Sequence, residues 1–142
     1  VHAIALQRPN GIKPLCCEVG KSEFSGVVYH ANYLRFLERG RTEFLRSLGV
    51  HHSTLFAPDG ATPFNFAVRA MQIEFIASAR MDDMIAVETR ISALRGASAW
   101  MAQRILRDSV VLVTADVRVA GVSEGRAARF PPVVRQAFEA VL

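Results

Sequence analysis

Residues 32–48, NYLRFLERGRTEFLRSL, repeat their apolar side chains at helical spacing, and they put too many of them on one side for the segment to stand alone. On a helical wheel Tyr33, Leu34, Phe36, Leu37, Gly40, Phe44, Leu45 and Leu48 fall within about half the circumference, while Arg35, Glu38, Arg39, Thr42, Glu43 and Arg46 cover the rest. Asn32 is placed to cap the N-terminus and Gly49 to follow the C-terminus, which gives a helix about 25 Å long. Large apolar side chains contribute roughly 1.5–3 kcal/mol each on burial, so this face requires a partner surface, most simply a sheet. Gly40 lies in the middle of the face, at a cost of about 1 kcal/mol in helix propensity, and its use there is to let that sheet come close.

After the turn-rich stretch HHSTLFAPDGATPFN the pattern changes to period two. RAMQIEFIA alternates Met71, Ile73 and Phe75 against Gln72 and Glu74. MIAVETRISAL sets Ile85, Val87, Thr89 and Ile91 against Glu88, Arg90 and Ser92. AWMAQRILR is less regular, and VLVTADVRVAG sets Val113, Ala115, Val117 and Val119 against Thr114, Asp116 and Arg118. The separators ARMDD, LRGAS and RDS are short enough for antiparallel hairpins. Upstream, residues 12–19 (IKPLCCEV) read as a first strand with Pro14 near its start, broken by GKSEFSG; downstream, PPVVRQAFEAVL reads as a short helix opened by Pro131 and Pro132. This order predicts an α+β fold in one domain, residues 1–142, with one antiparallel sheet of about five strands wrapping one long helix.

Composition narrows the function classes. No run approaches the ~18 apolar residues of a membrane span, and the N-terminal stretch lacks the basic start, apolar middle and small-residue cleavage site of a signal peptide. A soluble, cytoplasmic protein is expected. Cys16 and Cys17 are neighbours, which disfavours a bond between them, and neither a disulfide framework nor a zinc site is expected. The formal net charge of +4 is spread over every segment with no basic run interleaved with aromatics, so nucleic-acid binding is not expected and the field suits a polyanionic small molecule at least as well.

Just before the helix stands a turn bearing tyrosine and histidine. The stretch GVVYHANYLRFLERGRTEFL, followed by four strands and the late GRAARFPP, closely resembles the hotdog-fold acyl-CoA thioesterases of the 4-hydroxybenzoyl-CoA thioesterase type, and most of all the branch associated with the bacterial Tol-Pal system. The resemblance covers nearly the whole chain. It implies hydrolysis of a thioester on coenzyme A, with no cofactor or metal, in a homodimer or homotetramer whose sites lie between subunits. In that family an aspartate precedes the turn, commonly within Asp-Thr-Asp. Here Lys21 replaces the first Asp and Glu23 holds the place of the second, so the carboxylate carries one extra methylene.

Thioester hydrolysis needs a carboxylate that attacks the carbonyl or activates water, and donors where negative charge builds on the carbonyl oxygen. A helix N-terminus supplies such donors together with a partial positive charge. The expected catalytic residues are therefore Glu23, Tyr29 and His30, with Gly26, Ala31 and Asn32 on the substrate side; Gly26 permits the close approach that brings Glu23 back toward the helix. Each has a blander role open to it: Glu23 as a solvated turn carboxylate, His30 as a cap or interface residue, Tyr29 as packing, Asn32 as a cap. Arg41 interrupts the apolar face and is expected to snorkel toward Glu38, with a subunit-interface ion pair as the alternative. His51 and His52 have no Cys or acidic partner at metal spacing. Leu55, Phe56, Phe64 and Phe66 are expected in a loop, lining an apolar pocket or plugging the core. Arg90, Arg95, Arg104, Arg126 and Arg129 are all eligible to hold nucleotide phosphates. A non-catalytic acyl-thioester-binding or scaffolding protein is the rival reading, motivated by the KSE departure, and a dehydratase or hydratase on enoyl thioesters shares the fold.

Overall fold

The computed structural model describes residues 13–16, 30–51, 63–80 and 83–142. In chain order its elements are β1 (Lys13–Cys16), α1 (His30–Ser47), β2 (Phe64–Phe75), β3 (Met84–Arg95), β4 (Ser98–Arg107), β5 (Val110–Ser123), β6 (Arg126–Ala127) and α2 (Pro132–Glu139). The strands form one antiparallel sheet in the order β1-β3-β4-β5-β2, with the short β6 paired to β5.

Helix α1 begins two residues earlier than the sequence suggests. Asn32 is therefore inside the first turn and is not the cap. Its C-terminus ends as expected, with Gly49 at φ +77°. There Val50 N–H donates to Leu45 O at 3.0 Å and Gly49 N–H to Arg46 O at 3.1 Å, the two bonds of a Schellman motif. Tyr33, Phe36, Leu37, Gly40 and Phe44 are buried, but Leu34, also on the apolar side of the wheel, stays 44% exposed. A Cβ on Gly40 would stand 2.5 Å from Val87 Cγ1, so the glycine is what allows β3 to lie directly against the helix.

That close approach brings a buried polar network into the core. Gln103, 1% exposed on β4, donates from Nε2 to Leu37 O of α1 at 3.0 Å and to Thr89 Oγ1 of β3 at 2.8 Å. Its Oε1 accepts from Arg41 Nη1 at 2.9 Å. Arg41 thus turns inward to an amide oxygen, where the sequence suggested snorkelling toward Glu38. Burial lowers the pKa of its guanidinium, and the nearby Glu38 charge opposes that shift.

The expected hairpin between β2 and β3 is absent. β2 pairs with β5 at the far side of the sheet, and β3 lies between β1 and β4. Period-two alternation selects a face for each strand but not a neighbour. The residues 76–83 between the two strands can span up to roughly 27 Å, against about 14 Å for three interstrand spacings, so crossing the end of the sheet is sterically easy. β3–β4 and β4–β5 are hairpins, as expected.

Phe64 and Phe66 belong to β2 and not to a loop. With Phe130 and Phe138 they form a continuous aromatic cluster, centroids 5.3–6.2 Å apart, that seats α2. They are core plugs, the second of the two roles open to them; Leu55 and Phe56 lie outside the described residues. Gly121 makes room for this cluster, because a Cβ there would meet Ala128 O at 2.2 Å and the Phe64 ring at 2.7 Å. No helix among the described residues is long and apolar enough to cross a membrane.

Candidate active site

His30, Ala31 and Asn32 occupy the first three positions of α1, so their N–H groups have no acceptor within the helix. The first turn contains no acidic side chain, while Arg46 lies in the last turn. The positive end of the helix dipole is thus not offset by α1's own side chains there. His30 is exposed, and Ala31 and Asn32 are half-buried. The arrangement can receive negative charge developing on an oxygen.

Beneath this turn, Phe75 at the end of β2 is flanked by two of its rings. His30 meets it edge-on at 6.3 Å, and Tyr33 lies at 5.8 Å with a tilt of 54°. Tyr33 is 3% exposed, and its hydroxyl accepts a hydrogen bond of 2.8 Å from Ala79 N–H. The connection carrying Ala79 is held in turn. Asp83 Oδ2 accepts from Arg80 N–H and from Arg107 Nη1, both at 2.8 Å, and Arg107 Nη1 also donates to Ser78 O at 3.3 Å. Hydrogen bonding from Arg107, then from the Arg80 amide, holds the Asp83 carboxyl below its ordinary pKa. A depressed carboxylate stabilises the fold above its unfolded pKa and loses that contribution as pH falls through the folded value, so the pair is intact at neutral pH.

Of the six residues expected at the site, His30, Ala31 and Asn32 come together in one helical turn; Glu23, Gly26 and Tyr29 lie outside the described residues, as do Lys21 and His52. His51 is exposed beyond the opposite end of α1. Arg104 is committed to an ion pair with Glu88, whereas Arg90, Arg95, Arg126 and Arg129 are exposed. Among the described residues, no three His, Cys, Asp or Glu side chains gather to hold a metal ion. The seat formed by Phe75, Asp83 and Arg107 was not anticipated. Its only sequence signal is the acidic pair in ARMDD, which reads equally well as a polar turn.

A five-strand antiparallel path closed over one long central helix, whose first turn carries no acidic side chain, defines an α+β protein of the hotdog fold. The sequence profile of the thioesterase-like superfamily matches residues 17–138, and the chain belongs to that superfamily. It is 39% identical over 119 residues to the acyl-CoA thioesterase YbgC of Haemophilus influenzae, covering 82% of this chain and 85% of that protein. It is 41% identical over 99 residues to the acyl-CoA thioester hydrolase YbgC of Escherichia coli, covering 69% and 71% of the two chains. Among solved structures, a probable thioesterase from Bartonella henselae superposes with a TM-score of 0.79 at 42% identity, covering 84% of this chain and 98% of that one.

Proposed function

We propose that this chain is an enzyme that hydrolyses acyl-CoA thioesters to the free acid and coenzyme A. The observation that carries the reading is the acid-less first turn of α1, whose N–H groups have no acceptor within the helix, in a chain similar over most of its length to proteins named as acyl-CoA thioesterases. In the proposed reaction Glu23 takes a proton from water as the water oxygen attacks the thioester carbonyl. Negative charge on the carbonyl oxygen is received by N–H groups at the helix mouth, around Tyr29, His30, Ala31 and Asn32, and Gly26 completes the wall. The C–S bond then breaks, and the thiolate leaves and takes up a proton. A cytoplasmic location and a single-domain organisation over residues 1–142 are part of the reading.

Release of free thiol from a panel of acyl-CoAs, followed with a thiol reagent, tests it. Tight binding of every acyl-CoA without thiol release would favour the binding or scaffolding role suggested by Lys21 and Glu23. If the His30 imidazole adds a donor to the backbone N–H groups, His30→Ala will lower turnover at least about tenfold while leaving affinity for a non-hydrolysable acyl-CoA analogue nearly unchanged, because such a donor acts on charge present only in the transition state. If His30 only caps or packs, turnover will survive and thermal stability will fall.

A homodimer or homotetramer belongs to the same reading. β2 ends the sheet, its outer edge is unpaired among the described strands, and Val68, Phe75 and Ile76 are about half exposed on or beside it. Edges of this length and polarity are normally covered. Light scattering at micromolar concentration is expected to give at least twice the 15.6 kDa chain mass. A monomer would count heavily against sites shared between subunits.

A further inference from the structure

We infer that Tyr33, Asp83 and Arg107 are positioning residues for this reaction: acting through the backbone of Ser78, Ala79 and Arg80, they fix the first turn of α1 and with it the donors at Ala31 and Asn32. The kinetic part of the inference rests on the thioesterase reading. A buried side chain in this position could pack as phenylalanine; a hydroxyl that is 3% exposed is costly to bury unless it is bonded. Tyr33 meets that need at Ala79 N–H, in a connection with little regular structure of its own.

What sets the path of that connection is a short chain of bonds. Ile76 and Ala77 donate to Leu112 O of β5 at 2.8 and 3.1 Å. Asp83 gathers Arg80 N–H and the Arg107 guanidinium, and Arg107 reaches from the end of β4 to Ser78 O. The sheet therefore holds the connection, the connection holds the Tyr33 hydroxyl, and Tyr33 stands three residues from His30 on the same helical face. Stabilising a developing oxyanion depends on where the donors stand, and displacement on the order of 1 Å can cost about a hundredfold. A smaller loosening of the turn should be felt in kcat and not in KM, because the donors act chiefly in the transition state.

The test compares the parent with Tyr33→Phe, Asp83→Asn and the double variant at 25 °C. Steady-state kinetics on an acyl-CoA and ¹⁵N relaxation of the Ala31 and Asn32 amides are measured for each. Each single change is expected to lower kcat about tenfold with KM within about twofold, and to increase motion at both amides. The double variant should lose no more than the worse single one, since both act through one contact path. Additive losses, or a lower Tm with kcat unchanged, would overturn the inference. If the parent itself releases no thiol, the thioesterase reading fails separately, and the amides decide: raised motion supports the positioning role and unaltered motion overturns it.

Discussion

Glu23→Gln is expected to slow thiol release from acyl-CoA at least about a hundredfold, the scale of a missing general base, while the fold is retained. The amide keeps the shape of the side chain and removes the charge that takes the proton. Glu23→Asp is the more informative companion. If the backbone of GKSEF holds the geometry of the aspartate-bearing relatives, the extra methylene displaces the carboxylate by roughly 1.5 Å, and shortening the side chain will raise the rate. If that backbone has been redrawn around glutamate, Asp will fall short and the rate will drop. Equal rates for the parent and both variants would make Glu23 a bystander. Binding without turnover in all three would favour the scaffolding role.

Gln103→Leu is expected to destabilise the chain by about 3 kcal/mol, roughly a 10 °C fall in Tm for a domain of this size. The substitution is close to isosteric, so the loss comes from polarity and not from a cavity. Gln103 joins the Leu37 carbonyl on α1, Thr89 on β3 and the Arg41 guanidinium, and leucine leaves each of them without that partner. The half-buried cation dominates the expected cost, because desolvation already acts against its charged form. Adding Arg41→Leu should therefore recover part of the loss, since removing both members of a buried pair is cheaper than removing one. A change of less than about 1 kcal/mol on Gln103→Leu alone, measured by denaturant unfolding, would show that the network contributes little.

Several local features were legible in the residues themselves. The 3.6-residue spacing marked α1, the φ-positive glycine marked its end, and Gly40 marked where the sheet had to approach. Alternation found β3 and β5 nearly to their ends, whereas β4 was placed from a less regular stretch between two turn signals, and the inward Gln103 on it was not anticipated. These features are set by interactions between near neighbours in sequence, which a pattern records directly. The motif around His30 pointed to the correct superfamily because it carries a long run of specific residues and not a single spacing.

The choice of partners was decided elsewhere. Alternation could not say that β2 would leave β3 and cross to β5, because every antiparallel partner presents the same period. Nor could it say that Arg41 would turn to Gln103, sixty-two residues away, in preference to Glu38 three residues before it. The seat under the helix mouth depends on the same crossing: only once β2 ends beside α1 do Phe75 and Ala79 meet Tyr33, with Asp83 and Arg107 holding the connection that carries Ala79. Sequence alone determined which faces must be buried and where the long helix runs. Tertiary structure determined what lies against them, because long-range pairing is selected by the summed packing of the whole sheet and helix, and no local spacing encodes that sum.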